Sequence, residues 1–404
     1  MRQRAALGVL FFTVFVDLIG FGLVLPLLPF FATHFGASGL EVAALGSVFS
    51  LMQFLTSPYW GRLSDRYGRR PILLITLFGS TLSYLALPFC TTFGQIFASR
   101  AFAGFFGGNI AVANAYIADI TTPETRSKGM GLIGAAFGLG FVFGPALGGT
   151  IAWAVELSHG TPERVYHVIG WIAGGICGLN ALVAWWRLAE SRRPDAAPMA
   201  GDMLSLHLDA WKRAFAERGA AWLILLYFAL GFGFAAFESL FALLVKEPPL
   251  AYDVKHVNYF FLYVGLLTAA VQGGLIGRLV ARYGERKLIL AACGLFVASL
   301  GALPFALHPW SLLAALGALA VGQGLNRASV LGLLSARVTD EDQGAVLGVA
   351  QSAGSFARIV GPVSCGALFD HAGHAAPFLL SGGLVLAALA VGGCVLRESE
   401  GGAG

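Results

Sequence analysis

The sequence predicts an all-α membrane protein, with twelve transmembrane helices arranged as two pseudo-symmetric six-helix bundles. Three observations carry that expectation. The 404 residues are 57% hydrophobic and only 12% charged, with a mean hydropathy of +0.75. Soluble domains carry about 25% charged residues, so a water-soluble globule is excluded. Apolar runs of about 20 residues, long enough to cross a bilayer as helices, recur along the chain. Finally, the two halves repeat each other's motifs.

The runs fall at 6–30, 41–60, 72–90, 94–118, 129–151 and 168–188, then at 220–243, 258–279, 288–307, 310–335, 345–367 and 375–396. Between the sets lies the polar stretch 189–218, with Arg192, Arg193, Pro194, Pro198 and a short amphipathic helix expected over Met203–Phe215. The expected organisation is a bundle over 1–188, a cytoplasmic linker over 189–218 and a second bundle over 219–404. The first run carries Asp17 and continues through Pro26 and Pro29 without a small-residue cleavage site. It therefore reads as a retained helix and not as a signal peptide. The 54 glycines suit membrane helices, whose backbones approach closely at small residues. The five cysteines stand singly in apolar runs, with no metal-ligand or disulfide pattern.

Orientation follows from the basic residues. Arg164, Lys246 and Lys255 fall in loops on one side, and Arg100, Arg327 and Arg358 fall inside spans. Every other Lys and Arg lies at the termini, in the linker or in loops on the opposite side. Both termini are therefore expected to be cytoplasmic, in a multi-pass protein of the cell's inner (plasma) membrane. The repeat is explicit. Gly61-Arg-Leu-Ser-Asp-Arg-Tyr-Gly-Arg-Arg70 returns as Gly277-Arg-Leu-Val-Ala-Arg-Tyr-Gly-Glu-Arg286. Gly144-Pro145 returns as Gly361-Pro362, Gly149 as Gly366 and Thr121 as Thr339, all at nearly one offset. Such spacing implies a duplicated six-helix unit, the parallel-repeat architecture of secondary transporters with a site near the midplane.

The loop Gly61, Asp65, Arg66, Gly68, Arg69, Arg70 resembles the signature of the major facilitator superfamily. The resemblance implies a conformational latch, with Asp119 and Arg126 in the loop after span four as its partners. Asp65 is suited to a helix N-terminus, where a carboxylate gains roughly 0.3–1 kcal/mol. In the second copy Ala281 and Glu285 replace an acid and a base. Gly140-Phe-Val-Phe-Gly144-Pro145-Ala-Leu-Gly148-Gly149 in span five resembles the motif of the drug:proton antiporter branch. Ile96-Phe-Ala-Ser-Arg100-Ala-Phe-Ala-Gly104 resembles that branch's buried-arginine motif. With Leu51-Met-Gln-Phe54 and Tyr116-Ile-Ala-Asp-Ile-Thr121, the chain is most similar to tetracycline efflux proteins. Those carry an acid in the third and ninth spans; this chain has Ser83-Tyr84 in the third and no acid between Leu288 and Leu307.

A charge at the bilayer centre costs about 2.5–3.5 kcal/mol on insertion scales and marks a functional position. Five stand inside spans: Asp17, Arg100, Glu238, Arg327 and Arg358. Asp17 and Glu238 are expected to accept protons, with Arg100 biasing them; static ion pairs that lock the fold are the competing reading. The resemblance implies a cargo cavity lined from spans one, four, seven and ten. Its candidates are Asn109, Asn114, Phe234, Phe237, Phe241, Gln323, Asn326 and Arg327, with Gln53 and Arg358 from neighbouring spans.

No phosphate loop and no metal-ligand spacing appears, so neither an enzyme nor an ATP-driven pump is expected. No cofactor, metal or nucleic-acid partner is expected; the partners would be a small molecule, protons and lipid, and the chain would act as a monomer. The expected function is proton-coupled efflux of drug-like or amphipathic molecules by alternating access. The alternative is proton-coupled or exchange transport of an organic anion, metabolite or lipid, using the three intramembrane arginines.

Overall fold

Hydrocarbon offers no partner to a backbone N–H or C=O, so a chain of this composition has to satisfy its backbone inside helices. The computed structural model of the chain describes residues 2–191, 211–212, 215, 218–337 and 340–401. Side chains at 2–5, 123–128, 218, 327, 336, 340–345 and 393–401 lie outside the described set. In the first half, α1 (Arg2–Val24) runs through a 3-10 turn at Leu25–Leu27 into α2 (Leu28–His34). There follow α3 (Gly39–Tyr67), α4 (Arg69–Ala86), α5 (Phe93–Phe106), α6 (Asn109–Ile120), α7 (Pro123–Leu157) and α8 (Pro162–Arg187). In the second half come α9 (Arg218–Lys246), α10 (Val254–Ala270), a π-turn at Val271–Leu275, α11 (Ile276–Tyr283) and α12 (Glu285–Ala302). The last three are α13 (Pro309–Ala336), α14 (Asp340–Ala372) and α15 (Ala376–Gly401). Among the described residues, nine helical segments are long and apolar enough to cross a membrane. The last three helices fall where the remaining spans were expected. Of the helix expected over Met203–Phe215, only Trp211, Lys212 and Phe215 are described, with the two rings stacked at 5.5 Å; the rest lies outside the described residues.

The chain divides into two compact units, Met1–Met199 with Ala251–Gly265, and Ala200–Leu250 with Leu266–Gly404. The opening stretch of span eight thus groups with the first unit.

Within the first unit, side-chain caps satisfy otherwise orphaned amides at helix starts. Ser38 and Glu41 form a reciprocal capping box at α3. Thr92 accepts from the N–H of Gln95 at α5, and Thr161 from that of Arg164 at α8. Large apolar side chains such as Leu55, Leu82, Leu179 and Trp186 stay exposed, as a lipid-facing surface requires. Lipid tails are as apolar as leucine, so helix association rests on close packing and hydrogen bonds, not on hydrophobic burial. Gly144 shows this: a Cβ there would lie 2.6–2.8 Å from the backbone of Gly22 and Leu23 in α1.

Within the second unit the same arrangement returns. Gly361 of α14 faces Phe232 of α9, where a Cβ would lie 3.2 Å from the Phe232 carbonyl. Both α4 and α12 are 18 residues long, and both end in a 3-10 turn of sequence Leu-Pro-Phe, at Leu87–Phe89 and Leu303–Phe305. Both are entered through a glycine with a φ closed to other residues, Gly68 (φ 106°) and Gly284 (φ 74°).

Candidate functional site

The first unit gathers its intramembrane polar groups around an interruption in span four. Helix α5 ends at Phe106, Gly107 and Gly108 form a turn, and α6 begins at Asn109. The carbonyls released by the break are taken up from α3. Trp60 Nε1 donates to the Phe105 carbonyl at 2.6 Å and Gln53 Nε2 to the Gly107 carbonyl at 2.7 Å. The single Thr56 hydroxyl proton is shared between the Phe105 carbonyl at 2.9 Å and the Met52 carbonyl of its own helix at 2.7 Å. Positions 53, 56 and 60 lie along one helical face, so a single stripe of α3 holds the break. Irregular backbone at membrane depth persists only where protein re-satisfies it.

Asn109, 5% exposed, donates through Nδ2 to Asp17 Oδ2 at 2.7 Å. Asp17 Oδ1 is buried without a hydrogen-bond partner. Arg100, 2% exposed, lies over the rings of Phe49 and Phe21, 4.5 and 6.0 Å from their centroids, in cation–π contact. Among the described residues no carboxylate pairs with it, and its Nε has no partner. Tyr84 and Cys177, both buried, line Gly20 on the turn after Asp17. Asn180 donates to the Thr13 carbonyl one turn before it. Asn114 is half-buried on α6.

At the end of this unit where α3 passes into α4, Arg69 is the hub. Its guanidinium pairs with Asp65 at 2.5 Å and Asp119 at 2.8 Å, and donates to Ser64 Oγ at 2.8 Å. Asp65 thus stands in an i,i+4 pair. The carboxylate at the N-terminus of α4 is Glu190, which accepts from the backbone N–H groups of Arg69 at 2.8 Å and Arg70 at 3.1 Å. It fills the space over Gly68, where a Cβ would lie 2.5 Å from Glu190 Oε2. Arg70 Nη2 donates to the Trp185 carbonyl, and Ser191 Oγ to Asp119 Oδ2 at 3.2 Å. Arg66 lies over Tyr67, Gly61 leaves open space around its Cα, and the Arg126 side chain is outside the described residues.

The span-five motif serves two neighbours. Gly140 and Gly144 admit α1 at Leu18 and Gly22, whereas Gly148 and Gly149 admit Asn258 and Tyr259 from the first part of α10. Buried Pro145 sits within α7 between these pairs. Lys255 of α10 pairs with Glu156 near the end of α7.

In the second unit, Glu238 on α9 is half-buried, and Arg358 on α14 is the opposite charge that acts on it. Arg358 Nη2 also meets Ser355 Oγ at 3.1 Å. Phe237 and Phe241 are fully buried, with centroids 5.0 Å apart, so they pack the interior in this conformation; Phe234 is half-buried. Gln323 is half-buried and Asn326 is 1% exposed, accepting from Cys293 Sγ at 3.4 Å. The Arg327 side chain lies outside the described residues.

Sequence reasoning missed Thr56, Trp60, Tyr84, Cys177 and Glu190. The doublet Gly107-Gly108 was the available signal for the first two.

The model of the Major Facilitator Superfamily matches residues 10–314 and 260–404. Tetracycline resistance protein, class C, of Escherichia coli is 31% identical over 374 residues, covering 91% of this chain and 91% of its own length. Multidrug resistance protein 2 of Bacillus subtilis (strain 168) is 28% identical over 398 residues, covering 96% and 94%. The crystal structure of the human organic anion transporter MFSD10 (TETRAN) matches with a TM-score of 0.63 and 26% identity, over 97% of this chain and 99% of that one. With helices that span a membrane, duplicated halves, and relatives that are transporters and not enzymes, the chain belongs to the Major Facilitator Superfamily and is a multi-pass membrane transporter.

Proposed function

We propose that the protein exports amphipathic, drug-like small molecules in exchange for protons by alternating access, with Asp17 and Glu238 as the protonated groups. One observation carries the reading: Asp17 is held by a neutral amide while Arg100, the buried arginine of the same unit, rests on aromatic faces. A static ion pair would have joined the two charges. A carboxylate bonded to an amide can take up and release a proton without leaving an unpaired buried arginine behind. The tetracycline and multidrug resistance relatives support export as the direction. The proton gradient supplies the energy, no cofactor is used, and a monomer in the inner (plasma) membrane with both termini cytoplasmic is the working unit.

A second reading is transport of an organic anion. The likeness to the human organic anion transporter supports it, as do the intramembrane positions of Arg100 and Arg358. Both readings are tested on the full chain in liposomes with an imposed pH gradient, using a fluorescent lipophilic cation and a carboxylated dye as probes. Export reading: the cation moves in exchange for protons, and Asp17→Asn and Glu238→Gln each lower the rate at least tenfold. Movement of the carboxylated dye alone would replace it with the second reading. Normal gradient-driven transport by both variants would remove the proton role from these carboxylates.

A further inference from the structure

A carboxylate that exchanges protons with water has to be held at a fixed place in both of its forms. The interruption of span four does this for Asp17. Three donors on one face of α3 secure the turn at Gly107-Gly108. That turn fixes where α6 starts, and the first residue of α6 is Asn109. At 5% exposure Asn109 has almost no surface to offer a cargo molecule, and its Nδ2 is already committed to Asp17 Oδ2. Only Oδ1 of the carboxylate is then left to carry a proton.

We propose that Asn109 is a positioning residue for Asp17: braced by Gln53 through the span-four break, its amide fixes the carboxylate and sets the pH range over which transport runs. The inference rests on the proton-coupling reading above. Asn109 thereby takes a role other than cargo contact, and Gln53 supports it by giving one amide N–H to the Gly107 carbonyl.

The other groups around Asp17 are few. Tyr84 from α4 and Cys177 from α8 interact with its charge, and Arg100 from α5 interacts with Tyr84. From α7, Gly140, Phe141, Phe143 and Gly144 meet α1 near this level, none of them titratable. Asn109 is the group in hydrogen-bond contact with the carboxylate.

The test measures the pH profile of probe transport in liposomes for the unmodified chain, Asp17→Asn, Asn109→Leu, Asn109→Ser and Gln53→Leu, each checked for a cooperative thermal transition in detergent. A hydrogen bond to a charged group is worth enough to move a titration by about one pH unit. Asn109→Leu is therefore expected to displace the profile to higher pH by about that much, because a donor favours the ionised carboxylate. Gln53→Leu, which loosens the brace without touching Asp17, is expected to displace it less and in the same direction. Asn109→Ser keeps a short donor and should fall between, which preserves the test if the leucine variant does not fold. An unmoved profile in Asn109→Leu (or, failing that, Asn109→Ser) and Gln53→Leu, alongside a flattened one in Asp17→Asn, overturns the positioning role alone. A profile that Asp17→Asn leaves intact overturns the proton reading, and the role of Asn109 with it.

Discussion

The Glu190 carboxylate caps the helix that Arg69 opens, receiving the Arg69 amide at 2.8 Å and the Arg70 amide at 3.1 Å across more than a hundred residues of sequence. These are two of the four amides that a helix N-terminus leaves unpaired, and the helix dipole favours a negative charge there. Glu190→Ala should lower stability by about 1 kcal/mol at low salt. Glu190→Gln should lose less, and the gap between the two should narrow as salt rises. Thermal midpoints in detergent at two ionic strengths would decide it; a salt-independent loss would point to packing.

Two glycines of α7 make an internal comparison. A Cβ on Gly144 would run into the Gly22 backbone, whereas one on Gly138 meets nothing within 4 Å. Gly144→Ala should cost about 1–3 kcal/mol through overpacking and impair transport. Gly138→Ala should be neutral, or stabilise by roughly 0.5–1 kcal/mol through helix propensity. Equal midpoints for the two variants would show that α1 and α7 do not approach this closely in the membrane.

The Phe105 carbonyl has two side-chain donors, Thr56 and Trp60. Thr56→Val or Trp60→Phe alone leaves one in place, and each should cost about 1 kcal/mol beyond its packing change. Together they orphan the carbonyl at membrane depth, which adds roughly 1–3 kcal/mol. A double-mutant cycle should therefore show a loss greater than the sum. Strict additivity would mean that lipid or water reaches the break.

Asp253 precedes α10 and accepts from the His256 backbone N–H at 3.0 Å, with the His256 ring Nδ1 at 2.6 Å. Partial burial pushes its carboxyl upward, but the His256 hydrogen bonds, with the His256 and Lys255 charges, outweigh this and hold it below the usual carboxylate range. A carboxyl depressed in the folded state contributes stability above its unfolded value of about 3.9 and loses it as pH falls through the lower folded value. Acid should therefore lower the melting temperature of the unmodified chain more steeply, below about pH 4, than that of Asp253→Asn. Parallel acid limbs would contradict the cap.

Much of the architecture was legible in the sequence because membrane spanning and duplication both leave periodic marks. Apolar run length located the helices, and the copied Gly-Arg-Leu loop located the second half. The Leu-Pro-Phe turns at 87–89 and 303–305 were a further mark that went unread. The polar site was less legible. Asn109 and Gln53 read as cavity residues because polar groups inside spans usually face a cavity; nothing in the letters showed that their amides also meet a carboxylate and a carbonyl within the first unit. Phe237 and Phe241 illustrate another limit, since nothing in a uniformly apolar helix says which face meets protein. Glu190 left no trace because its partners are backbone amides, which have no letter in the sequence.

Gly68 and Gly284 adopt nearly the same backbone, with ψ of 154° and 156°, yet the loops they close differ in their charges. One copy keeps Asp65 and Arg69; the other has Ala281 and Glu285 at the matching places. Duplication therefore passed on a bend and left its electrostatics open to revision. Side chains around either glycine can be rewritten while the turn survives, but the glycines cannot, because no other residue inherits that shape.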